Sequence, residues 1–158
     1  MRSGPGFSTL MSRTVEFAAK LDKGDYELLA QFRYALRKFL GFSETAAREN
    51  GVAPQQYQAL LAIEGFPGRS WVTVGELAER MQIAHHSAVG LVDRMTALRL
   101  VRRSPSKTDR RRVEVQLTAK GLAVLEKLLR LHRKELQTVG PSLIALLHRA
   151  SHPPVDPP

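Results

Sequence analysis

The sequence predicts a mainly α-helical chain carrying a single β-hairpin near its middle, and three observations predict it. Apolar residues recur at spacings of three and four along several stretches, the period of a helix with one buried face. One short stretch, Val113 to Leu117, instead alternates Val113, Val115 and Leu117 with Glu114 and Gln116, the period of a strand. Glycine, proline or a capping threonine stands at the boundaries between these stretches.

The first helix starts near Asp25 and carries Leu28, Leu29, Phe32, Leu36, Phe39 and Leu40 on one face, running on to Asn50. Gly51 supplies the left-handed residue that ends many helices. Pro54, favoured at the first helical position, opens a second helix bearing Tyr57, Leu60, Leu61 and Ile63, which the GFPG stretch breaks. Thr73 and Glu76 have the spacing of a capping box and open a short helix from Val74 to Met81. After a turn at Gln82 to Ala84, a fourth helix places Val89, Val92, Met95 and Leu98 on one side. Strands at Leu100 to Arg103 and Val113 to Leu117 follow, joined by the polar SPSKTDRR. Thr118 caps a last long helix whose stripe is Leu122, Leu125, Leu128 or Leu129, and Leu136. Gly140-Pro141 is expected to interrupt it, leaving a short terminal helix, SLIALLHR.

Charge narrows the function. Its 158 residues suit one domain, and 43% hydrophobic with 25% charged residues suits a chain that buries a core. Lys and Arg number 24 against 15 Asp and Glu, a net charge of +9, so a polyanion is the first partner to consider. Between Arg94 and Arg112 stand eight basic residues and a single acidic one, Asp109. A merely solvated hairpin would gain nothing from so many unbalanced like charges, which repel one another without a counter-charge. With no cysteine there is no disulfide, no thiolate zinc site and no thiol switch, which fits a cytoplasmic location. No apolar run approaches the roughly 20 residues that span a bilayer, and the N-terminal MRSGPGFSTLMSR lacks the apolar stretch of a secretory signal.

Helix, short turn, helix and basic hairpin is the order of a winged helix-turn-helix, in which the second helix of the pair enters the major groove. The stretches GVAPQQYQALLAI, VGELAERMQI, SAVGLVDRM and DRRRVEVQLTAKG resemble the multiple antibiotic resistance regulator (MarR) family over roughly residues 25 to 140. The most specific signature is Asp109-Arg110-Arg111 running through a strand into Leu117-Thr118-Ala119-Lys120-Gly121.

The resemblance implies a winged helix-turn-helix DNA-binding lobe with N- and C-terminal helices forming a dimerisation domain. It divides the chain into a tail (1–22), a dimerisation region (23–52 and 119–150), a DNA-binding lobe (53–118) and a second tail (151–158). It implies a homodimer on a pseudo-palindromic double-stranded operator, acting as a repressor that a small aromatic or phenolic effector relieves. His85, His86, Ser87, Val89 and Gly90 would face base edges. Arg94 would serve phosphates, Arg111 the minor groove, and Arg110 either a phosphate or a pairing with Asp109, which would orient a wing arginine, and Lys107 is counted among the DNA-binding residues. Ala84 stands where some members have an acidic residue holding that arginine, and Arg99 where the family usually has glycine. A left-handed Arg99 would carry about 1 kcal/mol of strain.

Phe32, Phe39, Tyr57 and Trp71 are the candidates for an effector pocket, set against the ordinary reading that aromatic residues at helical spacing pack a core. His85 and His86 point about 100° apart on a helix and do not chelate one ion well, so no metal or other cofactor is expected. His132 and His148 stand singly and read as surface or interface residues. No phosphate-binding loop, His-Glu-x-x-His or Gly-x-Ser-x-Gly elbow occurs, so no enzyme is expected. A non-specific architectural DNA binder is the alternative function. A peripheral protein of acidic membranes is less favoured, because the basic residues lie on a winged lobe and not along an amphipathic helix.

Overall fold

A computed structural model describes residues 21–106 and 112–151, and among these described residues there are five helices and three strands. They are α1 (Lys23–Glu49), α2 (Pro54–Glu64), β1 (Trp71–Val72), α3 (Val74–Met81), α4 (His85–Ala97), β2 (Val101–Pro105), β3 (Val113–Leu117) and α5 (Ala119–Ser151). Two units are distinguished among the described residues: 37–141, and a smaller one made of residues 21–36 together with 142–151.

Within residues 37–141 one core draws a side chain from every element. Ala46 and Ala47 of α1, Tyr57, Leu60 and Ile63 of α2, Val72 of β1 and Leu77 of α3 are buried there. They meet Leu91, Val92 and Met95 of α4, Val101 and Val115 of the hairpin, and Leu125 and Leu128 of α5. The sheet has the order β1-β3-β2, all antiparallel, with Trp71 opposite Gln116 and Val101 opposite Leu117. β1 escapes a sequence reading because two residues are too few to show a period.

Three helices end in the same way. After α1, α3 and α4 the amides of Val52, Ile83 and Leu100 bond back to the carbonyls of Ala47, Ala78 and Met95. Those of Gly51, Gln82 and Arg99 reach Arg48, Glu79 and Thr96, which completes three Schellman motifs. The left-handed residue is glycine only at Gly51; Gln82 and Arg99 adopt φ of 52° and 58°. Each of the two costs about 1 kcal/mol, offset here by paired carbonyls and by burial of the residue that follows Arg99, Leu100, beside Met95.

Several expectations need correction. α5 does not stop at Gly140-Pro141 but continues as one helix to Ser151 with Pro141 inside it. Proline removes one ladder bond and crowds one carbonyl, at a cost of about 3 kcal/mol, yet Leu143, Ala145, Leu146 and Leu147 after it favour a helix, which continues. On α4 the buried positions are Ala88, Leu91, Val92 and Met95, while Val89 is half-buried and Leu98 is 46% exposed. On α2, Leu61 is likewise exposed. In β3, Val113 is exposed at the wing end, where no element covers it, and Glu114 is buried, accepting a 3.2 Å bond from the Gln116 amide. Leu122, Leu129 and Leu136 of the expected α5 stripe are exposed within one chain.

Candidate nucleic-acid interface

The helix pair is built by local chemistry. The Thr73 hydroxyl accepts the Glu76 amide at 3.3 Å, and the Glu76 carboxylate accepts the Thr73 amide at 2.8 Å, so the box read from the sequence forms and opens α3. The turn at Gln82 to Ala84 is held by the left-handed Gln82, and α4 then starts at His85 behind Ala84, whose side chain offers no cap.

With Ala88, Leu91, Val92 and Met95 turned inward, α4 presents His85, His86, Ser87, Asp93 and Arg94 to solvent, with Val89 and Gly90 half-buried beside them. The expected base-reading residues therefore share the outer side of one helix. Arg94 folds back towards Gly90, and Arg103 of β2 donates to the Asp93 carboxylate at 2.6 Å, tying α4 to the hairpin. Arg99, Arg102 and Arg112 are also exposed, and Arg102 donates to Gln116 across the ladder at 3.0 Å. An open groove of about 650 Å³ separates the starts of α3 and α4 from Arg112 and Val113. Lys107, Asp109, Arg110 and Arg111 lie outside the described residues.

Glu76 has a second partner that the sequence did not indicate. Arg69, from the loop before β1, pairs with its carboxylate while its guanidinium stacks 4.3 Å from the Phe66 ring and 3.8 Å from the Trp71 ring. Burial pushes the Glu76 carboxyl up, but the Thr73 amide, Arg69 and the Thr73 hydroxyl outweigh it and hold the group below its ordinary range. A lowered native pKa stabilises the fold above the unfolded value and is lost as pH falls through the native one. The stability gap between wild type and Glu76→Gln should therefore be constant above about pH 5 and shrink on acidification. Urea midpoints measured across pH check this; a gap independent of pH would mean that the carboxylate charge contributes nothing.

The two-helix and wing geometry has a match in sequence. A family model described as "MarR family" matches residues 50–112, the span from the end of α1 to Arg112. Over those residues the chain is similar to the MarR family. These proteins are transcriptional regulators, and a curated relative, the HTH-type transcriptional repressor NicR of Pseudomonas putida, is 28% identical over 124 residues, covering 76% of this chain and 77% of NicR. Among solved structures, a MarR family protein from Bacillus stearothermophilus superposes with a TM-score of 0.69 at 25% identity, covering 84% of this chain and 93% of that one. A mutant of Staphylococcus aureus MepR, solved bound to an oligodeoxyribonucleotide, shares the fold with a TM-score of 0.59 at 17% identity, covering 71% of this chain and 80% of that one.

Of the four effector candidates, the structure brings two together. Phe39 and Tyr57 converge, but on His132, which is buried and not at the surface as its isolation in the sequence suggested. Its ring stacks on Tyr57 with centroids 4.6 Å apart and meets the edges of Phe39 and Phe42. Nδ1 donates to the Leu128 carbonyl at 2.8 Å, and Nε2 is hydrogen-bonded to the Ser43 hydroxyl at 2.8 Å. Both ring nitrogens are satisfied, which is why an imidazole can be buried here. The missed signal was periodic: His132 stands four residues after Leu128 and seven after Leu125, on the buried stripe itself. Trp71 packs under Arg69 instead, and Phe32 belongs to the smaller unit. Burial also raises the Tyr57 hydroxyl above its ordinary pKa. Among the described residues no group of three His, Cys, Asp or Glu is placed to hold a metal ion, and no helix is long and apolar enough to cross a membrane.

Proposed function

We propose that this protein is a cytoplasmic, homodimeric, sequence-specific DNA-binding repressor that inserts α4 into the major groove and its wing into the flanking minor groove. The observation that carries the reading is the outer side of α4, where His85, His86 and Ser87 stand exposed at the helix start, with Arg94, Arg99, Arg102 and Arg112 exposed farther along it and on the hairpin. Short polar and imidazole side chains at the start of such a helix meet base edges, while the arginines meet phosphates. MepR bound to an oligodeoxyribonucleotide supports the assignment by likeness of fold.

The homodimer rests on apolar residues that one chain leaves uncovered. Leu29 and Leu40 on α1, and Leu129, Leu136, Ile144 and Leu147 on α5, are all about half exposed or more, more apolar surface than a monomer leaves on two helices without a partner. Residues 23–52 and 119–150 then form the dimerisation region and 53–118 the lobe. Two-fold symmetry calls for a pseudo-palindromic operator with half-sites about one helical turn apart. A small aromatic or phenolic ligand would release DNA only through unequal affinity for two lobe spacings, and a coupling of about 1 to 3 kcal/mol would change operator affinity 5- to 150-fold.

Selection from a random duplex library, followed by salt titration, tests the reading. Wild type should enrich a pseudo-palindrome and sediment at twice 17.6 kDa. Arg111→Ala should cost about 1 to 3 kcal/mol on the selected duplex, with part of the loss depending on flanking A/T content. Arg110→Ala should weaken selected and random duplexes alike and lower the salt slope by about one. No enrichment, with tight binding to every duplex, would favour the architectural alternative.

A further inference from the structure

The first turn of α5 grips the turn that ends α4. Three successive carbonyls leave α4 towards β2, those of Leu98, Arg99 and Leu100, and each accepts from one stretch of α5 and its cap. The Lys120 ammonium donates to Leu98 at 2.9 Å, the Thr118 hydroxyl to Arg99 at 2.6 Å, and the Thr118 amide to Leu100 at 3.0 Å. The same hydroxyl accepts the Gly121 amide at 3.1 Å, so one side chain caps α5 and holds the α4 turn together. Gly121 lets the two backbones close, because a Cβ there would lie 2.0 Å from the Leu100 oxygen.

We propose that Thr118 and Lys120 are positioning residues for the DNA-reading helix: they lock the C-terminal end of α4 to the start of α5, so that the orientation of α4 follows that of α5. Carbonyls at a helix C-terminus carry partial negative charge, which the Lys120 cation meets directly. The left-handed Arg99 stands at the centre of the grip, and its strain is held in place by bonds on either side. A lysine spent on a carbonyl is directed away from phosphate duty. The inference rests on the proposed role of α4 in reading DNA, but the grip itself can be measured without DNA.

The experiment uses the full chain as wild type, Lys120→Met, Lys120→Arg, Thr118→Val and Thr118→Ser. Lys120 is exposed and its methionine variant keeps the stem, so the fold should survive. Amide hydrogen exchange at Arg99 and Leu100 should accelerate about tenfold in Lys120→Met and Thr118→Val and return towards wild type in the arginine and serine variants. In parallel, the affinity ratio between the library-selected duplex and a random duplex should fall about tenfold in the same two variants with the salt slope unchanged, because geometry and not a phosphate contact is lost. Unchanged exchange would overturn the grip. Faster exchange with an unchanged ratio would overturn the positioning role. Equal weakening on both duplexes with a slope lower by about one would make Lys120 a phosphate contact instead. If wild type selects no duplex, the sequence-specific reading fails, and the exchange result alone decides the grip.

Discussion

Gly90→Glu is expected to leave the protein more stable and nearly unable to bind its selected duplex. Gly90 lies inside α4, where glycine costs about 0.5 to 1 kcal/mol relative to a good helix former. A Cβ there would meet only the Arg94 guanidinium at 3.4 Å, the end of a flexible side chain that can move aside. The new carboxylate would also stand four residues before Arg94, an arrangement that stabilises a helix by about 0.3 kcal/mol. On DNA the same carboxylate would face base edges and phosphates and occupy Arg94. Like charge placed in such an interface costs several kcal/mol, so affinity should fall on the order of 100-fold, about 2.8 kcal/mol. Thermal unfolding and anisotropy titrations check the two signs together. Affinity within threefold of wild type would mean that this side of α4 does not meet DNA.

Gly121→Ala should do the reverse to stability, although it too replaces a helical glycine with a better helix former. The added methyl would sit 2.0 Å from the Leu100 oxygen and 3.0 Å from its carbon, and backbone cannot yield as a side-chain tip does. Relieving the clash means parting α5 from the α4 turn, which strains the bonds Leu100 accepts from the Thr118 amide and hydroxyl. The expected loss is about 3 kcal/mol, a large share of the 5 to 15 kcal/mol that typically holds a domain. It should appear as a melting temperature lower by roughly 6 to 12 °C. An alanine variant as stable as wild type would show that the two backbones do not approach so closely.

These two glycines mark where sequence reasoning stops. Both sit in helices, and propensity alone assigns both substitutions the same favourable sign. The difference lies in what faces each position: solvent and an arginine tip at Gly90, a neighbouring carbonyl at Gly121. Apart from β1 and the unbroken α5, the element order was legible, because periods of 3.6 and 2 need only a window of local residues. The capping box at Thr73 and Glu76, the left-handed Gly51 and the Thr118 cap all formed as local chemistry dictates. The outward placing of His85, His86 and Ser87 came from the family resemblance, because the period put Val89 and Leu98 on the inner face, where the structure has Ala88 and Leu91.

Other features were hidden because their causes are distant in the chain. His132 is buried by Ser43, 89 positions away, and by Tyr57 from another helix. Arg69 holds α3 through Glu76 from a loop with no pattern of its own. Pro141, a local stop signal, sits inside a helix that runs on past it. The sequence by itself determined the succession of the first four helices and the position of the basic hairpin that follows them, since each depends on neighbours within a few residues. Only the tertiary structure decided which histidine is buried, what Trp71 stacks on, and why Thr118, Lys120 and Gly121 stand together, because each answer is a contact between segments that only folding brings within hydrogen-bond or van der Waals reach.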